Sequence, residues 1–130
     1  LNGGTGVLLR VGHGWVFTGD GALVPLLLPK AQRLEFPPTA FRLLQNVPNP
    51  FNPMTTIAFE LPENTEVNLA VYNLVGQRVR VLVLEARGAG RYQVIWDARD
   101  DLGRDVSSGV YFYRLKAGDY LATRRMLLVR

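Results

Sequence analysis

Residues 44 to 53 read Leu-Gln-Asn-Val-Pro-Asn-Pro-Phe-Asn-Pro, with prolines at 48, 50 and 53 and asparagines at 46, 49 and 52. No helix can pass through such a stretch. Each proline lacks an amide donor, and each biases the preceding residue toward extended backbone. The segment that follows, Met54 to Leu61, alternates in character along its length and is closed by Pro62, the pattern of a short strand.

The same texture continues to the end of the chain. Short strand-like runs separated by turn signals predict an all-β, immunoglobulin-like β-sandwich of about seven strands, near 41–45, 54–61, 66–73, 78–85, 91–97, 109–116 and 119–129. In the third run Val67, Leu69 and Val71 share one side. In the fourth, Val79, Val81 and Val83 share a side, and Leu82 and Leu84 partly cover the other. In the fifth, Tyr92, Val94 and Trp96 share a face, which places Trp96 in the core. In the sixth, Val110, Phe112 and Arg114 oppose Tyr111, Tyr113 and Leu115; Tyr111 and Tyr113 are expected to be the exposed aromatic pair. Gly76 and Gly118 stand where tight hairpins need positive φ.

Four segments in order complete the picture: the proline-asparagine stretch with its following strand, Val71-Tyr72-Asn73-Leu74-Val75-Gly76-Gln77, Trp96-Asp97, and Ser108-Gly109-Val110-Tyr111-Phe112-Tyr113-Arg114-Leu115. Together they make residues 41 to 130 resemble the C-terminal sorting domain of proteins exported by type IX secretion. That domain is a relative of the immunoglobulin-like domain of flagellar hook-capping proteins. The resemblance implies a non-enzymatic, extracellular or surface module that outer-membrane secretion machinery recognises when folded, with later attachment to surface lipopolysaccharide. The positions that match the family's recurring residues are Pro48, Asn49, Pro50, Gly76, Gly109, Tyr111 and the last strand through Arg125. The family carries Trp-Asp-Gly-x-Asp-x-x-Gly after the fifth strand; here Ala98 replaces its first glycine.

Residues 1 to 40 differ in texture, and we read them as a β-rich arm ending in a proline hinge at Pro37-Pro38. The bursts Val7–Val11 and Ala22–Leu28 are expected to be strands that bury their leucines and valines against a sheet. That sheet can belong to the same chain, to an upstream region or to a neighbouring copy. The last case defines an alternative function, a self-assembling extracellular subunit that donates its arm as a strand; a passive spacer is a third. Because the chain starts at Leu1 with no signal-peptide pattern, it reads as a fragment or processed product.

Composition excludes several other classes. Hydrophobic residues make up 48% of the chain, enough for a packed core and too many for a disordered tail. The longest apolar run, broken by Pro25, is far shorter than the roughly 20 residues of a membrane-spanning helix. Absence of cysteine removes disulfides and thiolate metal sites. The net charge of +4 is scattered along the strands without a cluster of basic residues, so no nucleic-acid partner is expected.

Candidate chemistry is thin. His13, the single histidine, lies between two glycines without an acidic neighbour, and Ser107-Ser108 lacks the setting of a nucleophile elbow. The glycines of residues 3 to 6 are followed by no lysine or helix, so they are no phosphate loop. The loop from Asp97 to Asp105 gathers four aspartates, the one cluster that invites a calcium reading. It lacks the glycine and terminal glutamate of an EF-hand, and Arg99, Arg104 and nearby Arg114 compete for its carboxylates. We expect those aspartates to fix the turn through local amides. No catalytic, cofactor-binding or metal-binding set is therefore assigned.

Overall fold

A computed structural model describes residues 36–130, together with two short strands, Trp15–Phe17 (β1) and Leu23–Pro25 (β2). The chain divides into two compact units, Leu1–Phe36 and Pro37–Arg130. In the first, β1 and β2 pair antiparallel, with Val16 opposite Val24. The expected strand at 7–11, His13, and the expected burial of the arm against a sheet lie outside the described residues.

The second unit holds seven strands in two antiparallel sheets, and no helix occurs among the described residues. The strands are Arg42–Leu43 (β3), Thr55–Leu61 (β4), Thr65–Tyr72 (β5), Arg78–Arg87 (β6), Gly90–Trp96 (β7), Gly109–Ala117 (β8) and Tyr120–Leu128 (β9). One sheet runs β3-β4-β7 and the other β6-β5-β8-β9. The first of them shrinks to two residues, because beyond Leu43 the chain enters the proline-asparagine loop. The other six agree with the sequence reading to within two residues at either end.

Alternation supplies the core. Ile57, Phe59 and Leu61 from β4 are buried together with Val67, Leu69 and Val71 from β5 and Tyr111, Tyr113 and Leu115 from β8. Trp96 is fully buried, as its register predicts. It lies 5.4 Å from the Tyr111 ring in edge-on contact and 5.8 Å from Phe51, spacings at which aromatic pairs attract. Its indole N–H donates to the carbonyl of Arg99 at 2.9 Å, so burial leaves no polar atom unpaired.

Two expectations fail here. Tyr111 and Tyr113 are not an exposed pair but are buried, at 7% and 0% exposure. Both faces of β8 carry large apolar groups, and the face toward the opposite sheet took the tyrosines because each hydroxyl finds a carbonyl: Ser107 for Tyr111 at 2.7 Å, Leu44 for Tyr113 at 2.6 Å. In β6, register shifts opposite Leu69/Ala70 and Val71/Tyr72 interrupt the alternation. Core contact therefore falls to Val79, Leu82 and Val83 rather than to Val79, Val81 and Val83.

Candidate functional site

The loop between β3 and β4 is held from inside. Asn46 is 1% exposed, and its side-chain amide donates to the Pro48 carbonyl at 3.1 Å and to Thr55 Oγ1 at 3.0 Å. Thr55 Oγ1 donates to the same Pro48 carbonyl at 2.8 Å. The Asn46 backbone N–H donates to the Tyr113 hydroxyl at 2.8 Å. Prolines contribute no donors of their own, so this buried asparagine and threonine supply the bonds that shape the loop. Burial pushes the Tyr113 hydroxyl up to about 12, against the opposing effects of the Asn46 amide and the Arg124 charge.

The loop is then stitched to β9, about 80 residues later in sequence. Leu127 N–H donates to Asn49 Oδ1 at 3.0 Å, and Gln45 Nε2 donates to the Arg125 carbonyl at 2.8 Å. Phe51 exchanges backbone bonds with Leu127 and Val129 at 3.0 and 2.9 Å, in a parallel bridge. Arg124 Nε reaches the Leu43 carbonyl at 2.6 Å. The outer edge of β9 near its end is thereby closed by the loop.

Two adjoining grooves follow from this junction. One, of about 510 Å³, is lined by Gln45, Asn49, Phe112, Thr123, Arg124 and Arg125. The other, of about 290 Å³, is lined by Asn49, Pro50, Val110, Arg125, Met126 and Leu127. Asn49 and Arg125 belong to both. Of the positions taken from the family resemblance, the fold gathers Asn49, Pro50 and Arg125 at this surface, while Pro48, itself exposed, gives its carbonyl to the Asn46 network. The rest are elsewhere. Gly76 forms the β5–β6 hairpin with φ 84°, where Asn73 Oδ1 accepts the amides of Val75 and Gln77. Gly109 opens β8 with φ 153°, and Tyr111 sits in the core against Trp96. Sequence reasoning missed Asn46, Gln45 and Arg124; Tyr113, Arg125 and Leu43, which they respectively reach, lie 67 to 81 residues away, and no local pattern announces those bonds.

The acidic loop is occupied by its own surroundings. Asp100 Oδ1 accepts the amides of Leu102 and Arg104 at 2.9 Å each, and Oδ2 faces Arg104 Nε at 3.0 Å. The Arg104 amide bond leads the effects that hold the Asp100 carboxyl below its usual range. Asp101 accepts the Val81 amide at 2.9 Å and gives its own amide to the Val79 carbonyl, which covers part of the open edge of β6. Asp97 accepts the Arg99 amide at 3.2 Å, and Asp105 meets Arg99 at 3.3 Å. Arg114 takes no part. It lies 4.8 Å above the Tyr72 ring and donates to that hydroxyl at 2.8 Å, a correction to its expected place beside the aspartates.

The model of the FlgD Ig-like domain matches residues 49–120, more than half of the 130 residues. The chain belongs to the FlgD Ig-like domain family. The matched span runs from Asn49 in the loop through the turn that joins β8 to β9. Among solved structures, dimeric latent PorU from Porphyromonas gingivalis is similar with a TM-score of 0.57 and 16% identity, over 75% of this chain and 10% of that one. PorZ of the same organism, described as an essential bacterial surface component of the type-IX secretion system, is similar with a TM-score of 0.45 and 20% identity, over 92% of this chain and 15% of that one. The PorU likeness is one of fold, and this FlgD Ig-like chain corresponds to a small part of that protein. No curated protein sequence matches it.

Proposed function

We propose that this FlgD Ig-like domain is a non-enzymatic sorting module of a secreted bacterial protein, recognised by outer-membrane type IX machinery and leading to surface attachment. The observation that carries the reading is the joining of Asn49 and Pro50 to Arg125 across the loop–β9 junction. Two adjacent family-like positions, Asn49 and Pro50, and a third about 75 residues later, Arg125, line one accessible surface, where Asn49 Oδ1 and the Arg125 carbonyl are already bonded within the fold. A recognition site of this kind exists only when the sandwich is folded, which suits machinery that reads a folded module. The likeness of fold to a segment of PorU supports the same reading. Extracellular or surface localisation follows as part of it.

The test is export of a reporter fused ahead of residues 1–130 in a bacterium that carries type IX secretion. The parent chain is expected to bring the reporter outside the cell. Arg125→Glu, at an exposed side chain, is expected to abolish or strongly reduce export while circular dichroism shows an intact sandwich. Normal export of a folded Arg125→Glu chain, or no export by the parent, would refute the reading.

A further inference from the structure

The two grooves differ in chemistry along their length. Around Arg124 and Arg125 the lining is cationic and polar with one aromatic ring, Phe112, and around Pro50, Val110 and Leu127 it is aliphatic. No aspartate or glutamate lines either part. Arg125 forms no ion pair among the described residues, whereas Arg124 is anchored on the Leu43 carbonyl. Resting on the sorting reading, we infer that this groove takes an acidic, extended peptide segment of a protein partner, with a carboxylate at Arg125 and an aliphatic side chain beside Pro50 and Val110.

Three observations select that occupant. A guanidinium presents paired donors that match a carboxylate, and a partner's carboxylate would meet no opposing acid here. The aliphatic lining at Pro50, Val110, Met126 and Leu127 favours an apolar side chain over a sugar, whose hydroxyls would find few partners in that part of the groove. Strand addition at this place is blocked, since the Arg125 carbonyl, the Leu127 amide and carbonyl and the Val129 amide are already bonded by Gln45, Asn49 and Phe51. Side chains, not backbone, must therefore read the partner, and binding should weaken as salt rises.

The experiment uses the full 130-residue chain and a short end-capped peptide alternating leucine and glutamate, fluorescently labelled, with a leucine–lysine counterpart and a glutamate–serine counterpart. The leucine–glutamate peptide is expected to bind and the leucine–lysine peptide not to, with the glutamate–serine peptide weaker. Arg125→Glu is expected to weaken the leucine–glutamate complex by about tenfold or more, Val110→Ser by a smaller factor, and Lys116→Glu, the same charge change elsewhere on the sheet, hardly at all. Equal loss from Arg125→Glu and Lys116→Glu would mean attraction to net charge alone and would overturn the groove assignment. So would equal binding of all three peptides, or none. Dextran sulfate that binds more tightly than the peptide and ignores Val110→Ser would overturn the peptide in favour of an anionic glycan. Reporter export measured on Arg125→Glu separates this inference from its premise. Loss of export with unchanged peptide binding overturns the acidic partner and leaves sorting standing; loss of peptide binding with normal export does the reverse.

Discussion

The backbone amide of Asn46 donates to the hydroxyl of Tyr113 at 2.8 Å, and through it a tyrosine in the middle of β8 governs a loop 67 positions earlier. The same hydroxyl donates to Leu44 at 2.6 Å. Tyr113→Phe keeps the ring and removes both bonds, leaving a buried amide and a carbonyl without partners. The expected cost is about 1–3 kcal/mol, read as a lower urea midpoint with an unchanged slope. An unchanged midpoint would show that these bonds carry no stability.

The same tyrosine gives the fold an alkaline limit. Its hydroxyl ionises near 12 in the folded state and near 10 when unfolded. Between those values the unfolded chain releases a proton that the folded chain retains, so stability falls as pH rises. The contribution is intact below pH 10 and is lost progressively toward pH 12, on the order of 2 kcal/mol in all. Denaturation across this range should show the decline in the parent, and Tyr113→Phe should show less of it. Parallel slopes for the two proteins would refute the assignment.

Trp96 fills the centre of the sandwich, and its truncation to alanine should cost about 3–5 kcal/mol. A Trp15→Phe background leaves Trp96 as the sole indole. Its emission should then be blue-shifted and resist quenching by iodide. Easy quenching would contradict full burial.

Ala98 occupies φ 61° with its side chain buried. Glycine there would relieve left-handed strain of about 1–2 kcal/mol. It would also lose a buried methyl of roughly 0.8 kcal/mol and add about 0.5–1 kcal/mol of unfolded-state entropy. Ala98→Gly should thus stay within about 1 kcal/mol of the parent, while Ala98→Val, β-branched at positive φ, should be clearly destabilised. Melting curves that rank the two variants the other way would refute this account.

Calcium should leave the melting temperature unchanged, and so should a chelator. The carboxylates of Asp97, Asp100, Asp101 and Asp105 already face amides or guanidinium groups. A rise of several degrees in millimolar calcium, the signature of a ligand that binds the folded state, would overturn that reading.

The strands were legible because alternation and turn residues are local signals: Val67-Leu69-Val71 and Tyr92-Val94-Trp96 announce their faces, and Gly76 and Gly118 adopt the positive φ that their turns require. What alternation cannot tell is which face points inward when both are apolar, hence the reversal at Tyr111 and Tyr113. Nor does it reveal the register shifts in β6, which depend on pairing with β5. The Asn46 network and the Arg125 groove were hidden for a related reason. Tyr113 lies 67 residues from Asn46, and Arg125 lies 80 from Gln45; only the fold brings them together.

The stitching of the proline-asparagine loop to β9 has a consequence for how the domain comes into being. The loop emerges before β9, the last of the strands, so Gln45, Asn49 and Phe51 wait for partners that do not yet exist. Contacts this distant in sequence slow folding and leave little to gain from a partial chain. The sandwich should assemble late and as a whole, and a ribosome stalled before β9 would hold a polypeptide with no groove to display. The module thereby certifies that its own translation has run through the last strand.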